Sequence, residues 1–149
     1  MVIKLPVEIL TMDRKGCHLK VHIEVNGVRS AVIIDTGASN TVFDKNSLYL
    51  LAPDEKADKI ESVSTAVGSN NLETHTANIS VLGFGEHRLK NYKAVLLDLS
   101  NINEAFSMAG LSPVIGILGG DLLMKWKASI DYGNKTLKLR IRKNKSNPD

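Results

Sequence analysis

The chain has 149 residues, of which 43% are hydrophobic and 23% are charged, and its formal net charge is +3. These values are typical of one globular domain and exclude a disordered or low-complexity protein. The single cysteine, Cys17, excludes an internal disulfide, and no apolar run approaches membrane-spanning length. Residues 1–10 also lack the long apolar stretch of a signal peptide. We therefore expect a single domain over residues 1–149 in a cytoplasmic protein with no membrane partner, provided that no leader has been removed.

The first half of the chain predicts a β-hairpin that leads into a buried strand. From residue 19 to residue 25, apolar and polar side chains alternate, which is typical of a strand with one buried face. Asn26-Gly27 follows and favours a tight hairpin turn. The return strand, residues 30–34, becomes apolar on both faces and ends abruptly at the polar turn Asp35-Thr36-Gly37.

The rest of the chain predicts more strands and a few short helices. Strands are predicted at residues 41–43, 60–67, 74–82, 92–97, 114–118, 128–131 and 136–141. Residues 83–85 and 132–135 are typical of hairpin connections. Short helices are predicted at residues 47–51, 101–109, with Asn101 as the cap, and 121–126. The fold class is therefore mostly β with short helices, and residues 140–149 form a basic, flexible tail.

Asp35 is the first candidate for chemistry because it directly follows a buried strand. A carboxylate at such a position loses water, and proteins seldom place one there without a partner or a task. Capping of the turn by the aspartate side chain is the alternative. Gly37 fits both hypotheses, since it permits a positive backbone angle or the close approach of another backbone.

Two segments resemble the signatures of retroviral aspartic proteases and their bacterial single-domain relatives. The first is the run AVIIDTGASNTVF at residues 31–43, and the second is ILGGDLL at residues 117–123. A closing strand at residues 128–132, with a hairpin to residues 137–139, is also similar. The resemblance covers roughly residues 20–139, with weak matching over residues 52–112, and implies a closed-barrel, retropepsin-like single lobe.

The resemblance implies an aspartic endopeptidase with two carboxylates that share one proton. One carboxylate takes a proton from a bound water, which attacks the peptide carbonyl, and the protonated partner stabilises the developing oxyanion. The chain contains one Asp-Thr-Gly. The resemblance therefore implies a homodimer in which each copy contributes Asp35, with a peptide or protein as substrate and no cofactor.

Further roles are implied by the same resemblance. Thr36 hydrogen-bonds across the paired turns, and Gly37 allows the substrate backbone to approach. The residues expected to contact substrate are Ala38, Ser39, Ala66, Val67 and Gly68, the last three within a flap at residues 64–71. The residues expected to support the site are Leu118, Gly119 and Asp121. Because Ala38 stands where many two-lobed relatives carry a serine, we expect activity at mildly acidic to near-neutral pH.

The chain departs from the retroviral pattern at two positions. Retroviral proteases usually pair an aspartate, two residues after the active-site glycine, with an arginine that follows the late glycine. Ser39 and Gly120 stand at these positions, so a dimer of this chain must be stabilised differently.

Three alternatives remain open from the sequence. Cys17, His18 and His22 lie close together, with both histidines on one strand face, but they lack the ligand spacing typical of zinc sites, and no metal is expected. The basic C-terminal residues suit nucleic acid, although a solvated tail is the more common role, and nucleic-acid binding is not expected. The main alternative is a dimeric module that binds peptides without cutting them.

Overall fold

A computed structural model describes residues 1–11, 16–51, 58–59 and 75–142. The strands are β1 (Val2–Leu10), β2 (His18–Val25), β3 (Val28–Ile34), β4 (Val42–Asp44), β5 (Asp58–Lys59), β6 (His75–Phe84), β7 (His87–Leu97), β8 (Gly116–Leu118), β9 (Ser129–Asp131) and β10 (Thr136–Arg140). The helices are α1 (Lys45–Leu51), α2 (Ser100–Met108) and α3 (Gly120–Lys125). The predicted mostly β class with short helices is confirmed.

Six of the strands close into a barrel. The hydrogen-bonded order β6-β7-β4-β8-β3-β2 returns to its start because β2 also pairs with β6. The closing pairs are Glu24 with Gly83 and Val25 with Leu82. From β2 the sheet continues outward through β1, β10 and β9. The predicted closed barrel is therefore confirmed, with a three-stranded extension on one side.

The core follows from the period-2 patterns of these strands. In β2, Val21, Ile23 and Val25 are buried while the residues between them are partly exposed. Phe84 and Trp126 meet edge to face at 4.8 Å between ring centroids, so α3 packs against the end of β6. Burial of these apolar side chains supplies the main driving force for folding.

The hairpin at Asn26-Gly27 is confirmed. Both residues have positive φ angles, 49° and 83°, as a tight hairpin turn requires. The Asn26 side chain adds to the turn's role, because its Oδ1 accepts from Val81 N at 3.0 Å and its Nδ2 donates to the carbonyl of Leu51 at 3.2 Å. The turn between β2 and β3 is therefore hydrogen-bonded both to β6 and to the end of α1.

Two local features differ from the sequence predictions. The hairpin predicted at residues 83–85 is present, but its bounds are shifted: β6 runs to Phe84, which lies opposite His87, and the turn consists of Gly85 and Glu86. Phe84 is fully buried, and its burial extends the strand. Strand β1 was not predicted at all. It tolerates Pro6 because that residue lies at the last pair with β10, where a missing N–H matters least.

Helix α2 begins one residue before the predicted cap, Asn101. The carboxylate of Asp98 accepts hydrogen bonds from the backbone N–H and the hydroxyl of Ser100. These hydrogen bonds lower the pKa of Asp98. Asp98, rather than Asn101, is therefore the side chain that satisfies the start of this helix.

Some sequence predictions fall outside the described residues. They are the strand at residues 60–67, the flap at residues 64–71, and residues 143–149 of the basic tail. Among the residues that are described, no helix combines the length and apolar character that crossing a membrane demands.

Substitution Phe84→Ala should destabilise the fold by about 3–5 kcal/mol, because it removes a fully buried ring and its contact with Trp126. Urea unfolding measures this change. The control Leu50→Ala, at a site with 84% exposure, should change the free energy of unfolding by less than about 0.5 kcal/mol. Equal losses for the two variants would contradict the assignment of Phe84 to the core.

Stability should decrease as the pH falls below 6.5, the ordinary pKa of histidine. Burial, together with Lys125 and Arg88, lowers the pKa of His87 in the folded state. The unfolded chain therefore binds the proton more readily, and the stability linked to His87 is lost between pH 6.5 and its lower folded-state pKa. His87→Gln should make the urea midpoint less dependent on pH. Part of the pH dependence should remain, because the pKa of His22 is also lowered. An unchanged slope would contradict this linkage.

Candidate functional site

Asp35 lies where β3 leaves the barrel core. Strand β3 pairs in parallel with β8, with Ile34 opposite Leu118, and the N–H of Asp35 donates to the carbonyl of Leu118 at 3.0 Å. Ile34 is buried, but Asp35 is exposed in the single chain. The expected loss of solvation at Asp35 is therefore wrong for one chain, because the backbone turns out of the core at this residue.

The Asp35 turn is closed by its own hydrogen bonds. Oδ1 of Asp35 accepts from the N–H of Gly37 at 2.9 Å, and the carbonyl of Asp35 accepts from the N–H of Ala38 at 3.2 Å. Within the described part of the chain, no hydrogen bond is made to Oδ2 of Asp35. One carboxylate oxygen thus holds the turn, while the Asp35 side chain as a whole remains exposed.

A second loop passes directly behind this turn. The N–H groups of Gly120 and Asp121 donate to the carbonyls of Ala38 and Ser39 at 2.7 Å and 3.0 Å. A Cβ atom on Gly119 would lie 2.6 Å from the backbone C and O of Asn40, a distance that no side chain tolerates. Since the φ angle of Gly119 is −104°, close packing rather than backbone conformation requires glycine here.

The buried hydroxyl of Thr41 joins the two loops. It donates to Oδ1 of Asp121 at 2.7 Å and accepts from the N–H of Gly119 at 2.9 Å. The N–H of Thr41 donates to the same carboxylate oxygen at 2.8 Å. We call this set of hydrogen bonds among Thr41, Gly119 and Asp121 the loop clamp. It ties the segment after Asp35 to the start of α3.

Tyr92 lies near the loop clamp and keeps its proton. Burial, with a smaller effect from Asp121, raises the pKa of Tyr92 to about 12. Its ring packs edge to face against Phe43 at 6.3 Å between centroids. The Tyr92 phenol therefore stays neutral across the ordinary pH range.

A cleft of about 270 Å³ opens at Asp35. Its walls combine apolar and polar side chains from β2, β3, β9 and the turns beside them: Cys17, His18, Leu19, Ile33, Ile34, Asp35, Thr36, Ile130 and Tyr132. Asp35 carries the only carboxylate among these described lining residues. The cleft thus offers one acidic group among mixed polar and apolar side chains.

Helix α2 supports the far wall of the cleft. Its buried Phe106 packs with Ile33 in a small second core and contacts the His18 ring, at 5.5 Å between centroids. Asn103 fixes the helix through two hydrogen bonds to the backbone of Val114, of 3.0 Å and 2.8 Å. The position of His18 in the cleft therefore depends on α2.

The predicted site residues fall into three groups in the structure. Asp35, Thr36 and Gly37 lie together on the exposed turn, with Ala38 and Ser39 following. Leu118, Gly119 and Asp121 lie behind this turn and hydrogen-bond to it. The predicted flap residues Ala66, Val67 and Gly68 lie outside the described residues.

Of the cleft residues, sequence reasoning predicted only Asp35 and Thr36 as site residues, and it did not predict the other seven: Cys17, His18, Leu19, Ile33, Ile34, Ile130 and Tyr132. His18 and Leu19 lie in β2, which pairs with β3, whereas Ile130 and Tyr132 belong to β9 and its turn, which the sequence does not place near Asp35. His18 and Cys17 both line the cleft, but no group of three or more metal-ligating side chains occurs among the described residues.

The family model described as aspartyl protease matches residues 21–122, which include the Asp35 turn and the loop clamp. The chain belongs to the aspartyl protease family. The matched segment covers more than half of the chain and contains the first motif of the sequence resemblance and all but the last residue of the second. No curated protein matches.

Solved structures share the fold of this aspartyl protease family member. A retropepsin-like aspartic protease from Rickettsia conorii has 24% identity and a TM-score of 0.55, over 93% of this chain and 91% of that one. The retroviral protease-like domain of Ddi1 from Leishmania major has 15% identity and a TM-score of 0.52, over 87% and 97%. EIAV protease, solved with the inhibitor HBY-793, has 17% identity and a TM-score of 0.53, over 82% and 99%. The retropepsin-like fold is thereby confirmed.

Thr41→Val should destabilise this aspartyl protease fold by about 1–3 kcal/mol, because it leaves the buried N–H of Gly119 without its acceptor. Thr41→Ser, which keeps the hydroxyl, should recover most of the loss. Thr136→Val removes an exposed hydroxyl that donates to Asn134 and serves as the matched control, with little expected effect. Urea unfolding of the three variants measures how much the loop clamp contributes to the free energy of unfolding. Equal stability of the two valine variants would contradict such a contribution.

Proposed function

We propose that this protein is an aspartic endopeptidase that acts as a symmetric homodimer with one Asp35 from each copy. The observation that carries the proposal is that the cleft at Asp35 contains one carboxylate, held on a rigid turn and open to the outside. Acid–base hydrolysis of a peptide by this route needs two carboxylates that share a proton. A second copy of the chain supplies the missing one.

In the proposed reaction the two Asp35 carboxylates have different roles. The ionised one takes a proton from a water molecule, and the oxygen of that water attacks the peptide carbonyl carbon. The protonated one hydrogen-bonds to the developing oxyanion. The C–N bond then breaks as a proton reaches the leaving nitrogen, which yields a new carboxyl end and a new amino end. The two groups titrate as a coupled pair.

The geometry of the turn supports this arrangement in two ways. Asp35, Thr36 and Gly37 are all exposed on one turn, so a two-fold axis at this point brings identical turns together. The loop clamp and the Gly119–Asn40 contact hold the turn from behind, so Asp35 is positioned before substrate binds. Such preorganisation lowers the barrier of the chemical step.

The second candidate is a dimeric module that binds peptides without cutting them. It is favoured by one observation: the bond from Gly37 N to Asp35 Oδ1 gives this aspartate a turn-capping role that needs no catalysis. Asn at position 35 retains an oxygen for that bond. The same substitution therefore removes catalysis and preserves the turn.

The deciding experiment is digestion of a diverse peptide pool between pH 4 and pH 7, with cleavage products identified by mass spectrometry. Wild-type protein should cut, and Asp35→Asn should lose at least about 1,000-fold of the rate because the acid–base pair is broken. Asp98→Asn is the matched control. Asp98 is also exposed and holds a turn through its carboxylate, but it lies outside the cleft, so this variant should cut at the wild-type rate.

Each other outcome has a distinct meaning. If the folded, dimeric wild type binds peptides and cuts none, the binding module replaces the protease proposal. If Asp35→Asn cuts as fast as wild type, the assignment of Asp35 is wrong.

A further inference from the structure

A second concave site lies at the end of α3 and has a volume of about 450 Å³. Its cationic lining residues are Lys125, Lys127, Arg140 and Arg142. Its other lining residues are apolar, namely Met1, Val2 and Ile141. We call this site the basic pocket. It shares no lining residue with the cleft at Asp35, so the two sites are separate.

The fold gathers the pocket cations around Trp126. The Trp126 side chain is buried and fixes the end of α3, and its carbonyl accepts from the N–H of Arg140 at 2.7 Å. Lys125 and Lys127 therefore flank the point at which β10 is attached to the helix. All three cations are exposed, so they can reach a ligand.

The pairing of β1 with β10 extends this basic surface. Val2 lies opposite Arg140, and two residues along the strands Lys4 lies opposite Lys138. Because alternate residues of a strand share a face, the two lysines lie on the pocket side of the sheet. Like charges directly opposite each other destabilise a sheet unless an anion lies between them. Lys138 also interacts electrostatically with Asp131, which leaves the four pocket cations as the unbalanced group.

No acidic side chain of the pocket-forming segments balances these charges. Residues 1–7, 122–130 and 132–148 contain neither aspartate nor glutamate. The acids that border the middle segment are engaged elsewhere, since Asp121 accepts within the loop clamp and Asp131 within the β9–β10 hairpin. Over the residues that the structure describes, none of the four pocket cations forms an ion pair. An anion from outside the chain is therefore the partner that they lack.

The chemistry of the pocket favours phosphate groups as that anion. A guanidinium group binds phosphate through two parallel hydrogen bonds, and a lysine ammonium binds it as a point charge. Lys138 and Arg140 are two residues apart in β10, which separates them by about 7 Å along the strand. A row of separated cations suits a chain of phosphates better than a single phosphate group. None of the described lining residues is aromatic, so the pocket offers no ring on which a base could stack.

We propose that the basic pocket binds the phosphate backbone of a nucleic acid without recognising its base sequence. In the linear sequence only the C-terminal cations form a group, which is why the sequence alone does not predict such a site. The fold adds Lys125 and Lys127 from the end of α3, and Lys4 from the other end of the chain. Contacts to phosphate fix the position of a bound strand but carry no sequence information.

The test is fluorescence anisotropy with a labelled single-stranded DNA of mixed sequence, about 20 nucleotides long, titrated with the wild-type protein between about 50 mM and 200 mM salt. A plot of the logarithm of the association constant against the logarithm of the salt concentration should have a slope of about −3, because each of four neutralised phosphates contributes about −0.7. A second DNA of different sequence should bind equally well.

A pair of double variants with equal changes in net charge locates the site. Lys125→Gln with Lys127→Asn should weaken binding at least about tenfold and bring the slope to about −1.5, because two phosphate contacts are lost. Asparagine is chosen at position 127 because the φ angle there is 46°, which asparagine tolerates. Lys90→Gln with Lys93→Gln is the control, since both lysines are exposed on β7 outside the pocket, and this variant should bind as wild type does.

Three results would overturn the inference. Equal losses in the two double variants would show that only net charge matters. Displacement of the DNA by inorganic triphosphate at the same phosphate concentration would assign the pocket to a compact anion. Binding to phosphatidylserine vesicles without binding to DNA would assign it to a lipid surface.

The inference is independent of the proposed function. A wild-type protein that binds DNA as described and cuts no peptide supports the basic pocket while the protease proposal fails. A protein that cuts peptides through Asp35 and does not bind DNA overturns the basic pocket and leaves the protease proposal standing.

Discussion

The Asp35 turn depends on a backbone crossing that has no room for a side chain. Behind Asp35, the segment from Ala38 to Thr41 passes over Gly119 so closely that a single added carbon would overlap with Asn40. Backbone hydrogen bonds from Gly120 and Asp121 align the two loops, and the Thr41 hydroxyl joins them. Because every one of these groups is satisfied within the chain, the turn keeps its shape without a ligand or a partner.

This support explains how a carboxylate can be exposed and still be precisely placed. Rigidity at Asp35 comes from β3, from its bond to Leu118 and from the loop clamp, whereas the carboxylate itself faces outward. Placement thus belongs to the single chain. In the proposed homodimer, the second copy covers the cleft and excludes water from the carboxylate.

The sequence predicted the parts of this fold that are coded locally. The alternation in β2 and the Asn26-Gly27 pair specify a hairpin through the conformational preferences of a few adjacent residues. The end of β6 was mispredicted because glycines on both sides of Phe84 favour a turn, and only tertiary burial of the ring extends the strand. Strand β1 was not predicted because proline is unfavourable inside most strands. Pro6 is tolerated because it lies where β1 changes its partner from β10 to β2.

The site divides in the same way. Asp35, Thr36 and Gly37 are adjacent in the chain, so their motif can be recognised from the sequence alone. His18 and Tyr132 could not be placed in the cleft from the sequence, because tertiary structure brings them there. His18 packs against Phe106 of α2, and Tyr132 directly follows β9. The exposure of Asp35 was also hidden from the sequence. Hydrophobic periodicity shows that a strand is buried but not at which residue the backbone leaves the core.

The pairing of β1 with β10 has a consequence for the order in which the protein becomes functional. Residues 2–6 find their partners at residues 136–140, the largest sequence separation among the strand pairs. Contacts between such distant segments form slowly, and during synthesis the earlier segments emerge and compact first. All six barrel strands precede β10 in the chain, so the barrel can close before β10 is synthesised. The outer sheet, which needs β1 and β10 together, is therefore the last part of the described fold to assemble.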